Sequence, residues 1–447
     1  MKKKAPVMVP RNISRTSPGY LLLYGVAKIF FRLFYRRFIV LNRSFVPHGE
    51  QLIYASNHQN ALMDALAMLF AARRPVAFLA RADMFQKPFV ASLLHFLKIM
   101  PIFRPRDGME NMDANYEVFQ ATARLLKTGM PIALLPEGTH SPIKKLQQLK
   151  KGVCRIAFQA AEAQHFEADI YIIPTGIDFT SYSRAGTDLL LIYGPPINVA
   201  QYYPLYRENP QKAINALIQH LADEIRKLMI HIEDEANYTT IQHVISLFAS
   251  DDKRYANFMK ARKIIHLLHK SPDKVVRMNA LTELIDAYQQ LLYAGGFRDT
   301  NVRKSYSFPA LMLRLIMALL VLPFALAGAI INYIPYKFPT LISKNVKDKQ
   351  FVSSVNYGVG LVGFLLWYIT LAIIVLVSFK SVLVLLLLPL AAALGLFAFY
   401  YYLALKKLKG GFNYFRFRRY NPAGHHHLLR IRDAIIALVP TENLKKE

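Results

Sequence analysis

Leu52-Ile53-Tyr54-Ala55-Ser56-Asn57-His58-Gln59-Asn60-Ala61-Leu62-Met63-Asp64 runs from one apolar segment through a polar junction into another. The first five residues read as a short buried strand. Asn60 is placed to cap the following helix, because its side chain can accept from an orphan backbone N–H. Asp64 then falls near the first helical turn, and His58 falls in the junction. The same grammar repeats through residues 50–200. Leu52–Ser56, Val76–Ala80, Ile99–Phe103, Pro131–Leu135, Tyr171–Thr175 and Leu189–Tyr193 are short apolar runs, with helical patterns at 61–73, 84–98, 111–128 and 147–164 between them. This alternation predicts an α/β fold, a mostly parallel sheet covered by helices. Ligands of such sheets sit beyond the carboxyl ends of the strands. The His58 junction lies at one such end.

A second strand end carries polar groups as well. Ile132-Ala133-Leu134-Leu135-Pro136 leads into Glu137-Gly138-Thr139-His140-Ser141. Gly138 lets the backbone approach a ligand, and neighbouring N–H groups suit an anion. Glu137 can accept from substrate hydroxyls. A base, an acid to orient it and a polar grip on a substrate suffice to activate an alcohol. In that reading neutral His58 takes a hydroxyl proton. Asp64 accepts the other ring N–H, fixing the tautomer and stabilising the imidazolium. The nucleophile is then the substrate's own hydroxyl, and no serine or cysteine nucleophile is needed. Taken alone, a His-Asp pair at short spacing is better explained by core packing; the second string changes that balance.

Outside residues 50–200 the composition turns basic and apolar. The 447-residue chain carries 56 Lys and Arg against 29 Asp and Glu, a formal charge of +27, and is 53% hydrophobic. Such an excess attracts polyanions, and the apolar C-terminal third selects an anionic lipid surface over nucleic acid. Residues 1–49 hold ten Lys or Arg and no acid. Within 20–41, Lys28, Arg32 and Arg36 recur on one helical face among aromatics, the pattern of a helix lying in the membrane interface. Pro6, Pro10 and the polar run to Ser17 interrupt any apolar stretch after Lys2–Lys4, so no cleavable leader is expected. The single cysteine, Cys154, rules out an internal disulfide and reads as small core filler.

Three stretches, 310–334, 355–379 and 381–405, are each apolar over a bilayer's thickness of about 30 Å. Basic residues flank them: Arg303 and Lys304 before the first, Lys337, Lys344, Lys347 and Lys349 after it, and Lys406–Arg419 after the last, with only Lys380 between the second and third. The positive-inside rule puts the three flanking clusters on the cytoplasmic side. On that reading 310–334 dips into the membrane and returns, bent near Pro323, while 355–405 forms a hairpin. The resulting division is a basic interfacial segment (1–45), the α/β domain (46–205), a helical extension (206–305), membrane segments (306–410) and a basic cytoplasmic tail (411–447). His425-His426-His427 lacks carboxylate or cysteine neighbours and reads as part of that solvated tail; neither a metal nor a bound cofactor is expected.

Residues 40–205 resemble the glycerolipid acyltransferase superfamily, which includes lysophosphatidic acid and glycerol-3-phosphate acyltransferases. Four blocks occur in order: Asn57-His58…Asp64, Pro101-Ile102-Phe103-Arg104-Pro105-Arg106, Leu135-Pro136-Glu137-Gly138-Thr139-His140-Ser141, and Ile172-Ile173-Pro174-Thr175-Gly176. Ala80–Phe85 and Lys150-Lys151-Gly152 are lesser matches. The resemblance implies transfer of an acyl chain from a thioester, acyl-CoA or acyl carrier protein, to a hydroxyl of lysophosphatidic acid or glycerol 3-phosphate. It implies His58 as base and Asp64 as its orienter. It also implies that Glu137, Gly138, Thr139 and Ser141 position the acceptor, that Arg104 and Arg106 hold its phosphate, and that Pro174 lies in the block that binds the acyl chain or acceptor. Two departures stand out. Five residues, instead of the usual four, separate His58 from Asp64. His140 replaces the usual arginine, removing a permanent charge and a bidentate fork. Arg104, Arg106 and Lys151 can compensate. The competing readings are an enzyme acting on another lysophospholipid or an amino-lipid, and a non-catalytic membrane lipid-binding protein.

Overall fold

The computed structural model describes residues 13–103, 112–249, 254–270, 273–348, 350–380 and 382–439. The chain forms two compact units. The first comprises residues up to His231 together with Ser343–Tyr357; the second comprises Ile232–Ile342 and the residues from Gly358 onward.

The first unit begins with α1 (Pro18–Phe34). Ser17 caps it, its hydroxyl accepting from the Tyr20 N–H at 3.2 Å, and Pro18 fills the first turn, where an N–H would be unsatisfied anyway. There follow β1 (Arg37–Leu41), β2 (Gln51–Ser56), α2 (Leu62–Ala71), β3 (Ala77–Arg81), α3 (Pro88–Phe96), β4 (Ile99–Ile102), α4 (Met112–Lys127), β5 (Ile132–Leu134) and α5 (Gly152–Glu162). Then come β6 (Ile170–Phe179), β7 (Asp188–Tyr193), β8 (Ile197–Asn198), α6 (Tyr203–Glu208) and α7 (Pro210–Lys227). The sheet order is β1-β7-β6-β2-β5-β3-β4, with β8 on β6. Pairing is parallel except where β7 and β8 run against β6. The mostly parallel α/β expectation matches this sheet.

Two details of the sheet depart from the sequence reading. Residues 37–41 leave the basic aromatic helix and form β1, parallel to β7 with Arg37 opposite Asp188. Arg36 and Arg37 both pair with the buried Asp188 carboxylate, Arg36 Nη2 at 2.7 Å and Arg37 Nη2 at 2.5 Å. Burial alone raises the Asp188 pKa, but the two guanidinium hydrogen bonds outweigh it and hold the carboxyl below its ordinary range. Pro174 lies inside β6, buried and in register with Ala55. Proline is rare in a central strand because it cannot donate. Here its carbonyl accepts from Gly194 N–H at 2.8 Å, so its missing N–H faces the gap between β7 and β8 and costs no ladder bond.

The core of this unit is built mainly from apolar side chains. Cys154 on α5 is fully buried, and burial pushes its thiol up to about 12, consistent with a packing role. Helix α1 buries Tyr20, Phe31 and Phe34 and leaves Leu21, Leu22, Ile29 and Leu33 exposed, so an apolar face remains uncovered.

The second unit contains α8 (Tyr238–Phe248), α9 (Arg254–His269), α10 (Lys274–Gly295), α11 (Asp299–Lys304), α12 (Phe308–Ser343), α13 (Phe351–Phe379), α14 (Leu387–Tyr420) and α15 (Pro422–Leu438); the first turns of α13, through Tyr357, belong to the first unit. Asp299 organises the polar end, accepting from Arg432 at 2.9 Å and from the Tyr288 hydroxyl at 2.8 Å. Asn332 on α12 donates to the Ala391 carbonyl of α14 at 3.0 Å and accepts from Tyr368 of α13 at 2.8 Å. Among the described residues three helices, Phe308–Ser343, Phe351–Phe379 and Val382–Tyr420, are long and apolar enough to cross a membrane. The expected reversal at Pro323 is absent. Helix α12 runs unbroken for 36 residues through Pro323, Pro335 and Pro339. The freed carbonyls of an apolar helix can be satisfied locally, so proline need not end it. The division also differs from the expected one: α6 and α7, assigned to a helical extension, belong to the first unit, as does the segment between α12 and α13.

Candidate active site

The carboxyl ends of β2, β5 and β6 converge on His58. Asn57 fixes the start of the junction. Its side chain donates to the Ile177 carbonyl at 2.9 Å and accepts from the Ile177 N–H at 2.7 Å, so it extends β6 as a strand neighbour would. The chain then turns sharply. His58 Nδ1 lies 2.8 Å from Asp64 Oδ2, and the same oxygen accepts from the N–H groups of Gln59 (2.8 Å) and Asn60 (2.7 Å). With Asp64 accepting, Nδ1 carries the proton and Nε2 is the basic nitrogen. Asp64 is fully buried, while the His58 side chain keeps 14% exposure. The second Asp64 oxygen, Oδ1, is buried with no hydrogen-bond partner among the described residues.

Between His58 and Asp64 the backbone is strained at Ala61. That residue adopts φ 44° and ψ −123°, a region that favours glycine, and serves as the N-cap of α2 without a side-chain cap. Asn60 therefore does not cap the helix as expected: the acid inside the helix bonds back to the junction instead. The Asn60 amide, oriented to satisfy both partners, donates to the carbonyls of Gln350 (3.1 Å) and Tyr182 (3.2 Å). The strain at Ala61 yields a prediction. Ala61→Gly relieves about 1–3 kcal/mol of strain, against about 0.5–1 kcal/mol of added chain entropy. A higher urea midpoint, equivalent to about 1 kcal/mol, is expected from those two terms; an unchanged or lower midpoint contradicts it.

The second block holds the first by its backbone. Glu137 is 1% exposed, its Oε1 accepting from the His58 N–H at 2.9 Å and its Oε2 from the Gln147 N–H at 3.3 Å. Ser141 N–H donates to the His58 carbonyl at 3.2 Å. Both backbone groups of His58 are thus gripped by one loop. Within the protein Glu137 acts as a clamp on the junction's backbone, one hydrogen bond accepted by each oxygen. Gly138 has φ +70°, and its N–H bonds the Leu135 carbonyl at 3.1 Å. Gly138 and Thr139 are exposed and Ser141 half-buried, so they border the open side. Pro174 is buried within β6, in register with Ala55. Arg104 and Arg106 lie outside the described residues.

Burial pushes the Glu137 carboxyl from its ordinary 4.5 up to about 7, against the hydrogen bonds from His58 and Gln147. The folded state therefore binds this proton more tightly than the unfolded chain. Its contribution to stability is full below about 4.5 and is lost as pH rises to about 7. Urea midpoints between pH 4 and 8 should fall more steeply for the wild type than for Glu137→Gln; parallel curves contradict the assignment.

Further residues complete the wall. Tyr182 OH donates to Gln59 Oε1 at 2.9 Å, and Gln59 Nε2 to the Ile143 carbonyl at 3.1 Å. Lys144 pairs with Asp178 at the end of β6. His140 stands edge-on to His58, ring centres 5.4 Å apart, with its Nε2 3.6 Å from Asp348 Oδ2 and its ring 4.7 Å from that of Phe351. Burial lowers its pKa, the neighbouring His58 adds to that, and Asp348 opposes it. Gln59 sits in the quoted block, but its role depends on a tyrosine more than a hundred residues away. Asp348 and Phe351 carried no sequence signal, since they fall between two apolar segments.

Residues 37–178 match the model of the Acyltransferase family. An uncharacterised acyltransferase of Schizosaccharomyces pombe is 26% identical over 199 residues, covering 43% of this chain and 29% of that protein. Glycerol-3-phosphate O-acyltransferase 2 of Saccharomyces cerevisiae is 23% identical over 211 residues, 46% of this chain and 28% of the relative. A 1-acyl-sn-glycerol-3-phosphate acyltransferase of Chlamydomonas reinhardtii is 27% identical over 127 residues, 28% of this chain and 36% of the relative. The chain spans about a third of the length of these curated relatives, or less. The crystal structure of the 1-acyl-sn-glycerophosphate acyltransferase PlsC from Thermotoga maritima aligns at 21% identity and a TM-score of 0.33, covering 46% of this chain and 80% of that one.

Proposed function

From the premise that residues 37–178 form a domain of the Acyltransferase family, we propose that this chain moves a fatty acyl group from a thioester to a hydroxyl of a phosphate-bearing glycerolipid acceptor. The acceptor is lysophosphatidic acid or glycerol 3-phosphate, and the donor is acyl-CoA or acyl carrier protein. The names of the yeast and algal relatives support that acceptor class. The observation that carries the reading is the 2.8 Å contact of His58 Nδ1 with buried Asp64 at the carboxyl end of the parallel strands.

The step balances as follows. His58 Nε2 takes the acceptor's hydroxyl proton as that oxygen attacks the thioester carbonyl. The tetrahedral intermediate collapses with cleavage of the C–S bond. The departing sulfur takes the proton back from His58, so the base is regenerated. Asp64 orients the ring and stabilises the transient imidazolium. The exposed apolar face of α1 and the three apolar helices support a membrane location. Lys344 and Lys347, in the connection that belongs to the first unit, support a cytoplasmic face for the catalytic domain, toward anionic lipid.

The test is direct. The purified full-length chain is given labelled acyl-CoA, or labelled acyl carrier protein, with lysophosphatidic acid, glycerol 3-phosphate, another lysophospholipid or an amino-lipid. Labelled phosphatidic or lysophosphatidic acid is expected. Product only from the last two acceptors changes the substrate; no product from any acceptor removes the reading.

A further inference from the structure

Ser343–Tyr357, the connection between apolar helices α12 and α13, is built into the first unit and not left as a free loop. Its contacts are specific and polar. Ser353 is 1% exposed, with its hydroxyl donating to the Tyr182 carbonyl. The Gln350 carbonyl receives the Asn60 amide at 3.1 Å. Tyr357 is buried, its hydroxyl on the Ala27 carbonyl at 2.7 Å and its ring among Phe30, Phe31 and Phe34. Beside these anchors Asp348 and Phe351 meet His140, and His140 meets His58. A connection that merely joined two helices would leave its serines solvated.

We propose that Ser343–Tyr357 is a wall of the catalytic site, and that Asp348 and Phe351 are positioning residues that hold the His140 imidazole against His58. The chemistry favours this use of the substitution at position 140. An arginine there would bring a permanent charge beside the base; an imidazole is planar and packs edge-on between two rings. His58 is then bounded by Asp64 on its Nδ1 side and by His140 across its ring, which limits its rotation and its contact with water. Positioning of this kind matters because small displacements of a reacting group are costly in rate. Residues far beyond the 37–178 match thereby become part of the site. The kinetic arm of this proposal rests on the acyl-transfer reading; its structural arm does not.

The experiment uses the full-length chain in detergent. Cys154 is fully buried and serves as a silent background. Ser353→Cys reports on the docked wall, and Asn345→Cys, at an exposed position of the same connection, is the control. With N-ethylmaleimide, Ser353→Cys should react at least tenfold more slowly than Asn345→Cys, and adding Phe351→Ala should bring the two rates within a few-fold. With labelled acyl-CoA and lysophosphatidic acid, Phe351→Ala should lower kcat on the order of tenfold to 10²-fold, with the KM for donor nearly unchanged and Phe351→Tyr restoring most of the rate. Equal labelling of the two cysteines overturns the wall. Protection at Ser353→Cys with an unaltered kcat in Phe351→Ala overturns the positioning role. A wild type that acylates nothing overturns the transfer reading and the positioning role together, and in that case protected labelling supports the wall alone.

Discussion

His58→Ala is expected to lower kcat/KM by ~10²–10⁴ while leaving the chain folded and membrane-associated. The magnitude follows from what the side chain does. In the proposed reaction the nucleophile is the acceptor's alcohol, a poor one unless its proton departs as it attacks. Nε2 is the nitrogen available for that proton, because Nδ1 is committed to Asp64 at 2.8 Å. Folding should survive because the bonds that position 58 makes to the 137–147 loop are backbone: its N–H donates to Glu137 and its carbonyl accepts from Ser141, both retained in alanine. The measurement is transfer of labelled acyl groups by the purified variant, beside its circular dichroism and urea midpoint. Activity within a few-fold of wild type in a folded variant would remove His58 from the chemistry.

Asp64→Asn is expected to separate charge from geometry. The three donors that reach Asp64, the imidazole Nδ1 and the N–H groups of Gln59 and Asn60, all converge on Oδ2. An asparagine can place its carbonyl oxygen there and its amide nitrogen where Oδ1 now lies without a partner. The turn therefore keeps its hydrogen bonds, but the imidazolium loses its counter-charge. A fall in kcat of about 10²–10³ is expected, the scale of a preorganised electrostatic contact, with a modest change in stability and in KM. Asp64→Ala should behave differently. It strands two buried backbone donors, each costing about 1–3 kcal/mol, so its urea midpoint falls as well. If both variants lose stability equally and kcat is unaffected in the fraction that stays folded, Asp64 is a structural acid only.

Much of the sheet was legible because its signal is local. The strands β2 to β7 lie within a few residues of the apolar runs, since buried parallel strands read as continuous hydrophobic segments. β1 was missed for the same reason: five residues, Arg37–Leu41, follow a basic aromatic helix without a turn signal, and the partner that makes them a strand is Asp188 and its neighbours, about 150 positions away. His58 and Asp64 were legible because six positions of chain suffice to join them. The employment of Glu137 was not. Which group an acid at a strand end meets depends on β2 and β5 being neighbours in the sheet, a long-range fact. The connection after α12 gave no local signal at all: Asp348 reads as one acid among lysines, and only the fold brings it to His140.

The grip of Glu137 and Ser141 on the backbone of His58 makes the imidazole's place in space a property of the 137–147 loop. Warming the protein until that loop opens should silence turnover before any helix melts. Deuterium uptake at the His58 amide, hidden under a carboxylate from another strand, would then track inactivation more closely than ellipticity does. A sample could show an undiminished far-ultraviolet spectrum and yet be inert under the proposed chemistry, because the imidazole has lost two of the bonds that place it.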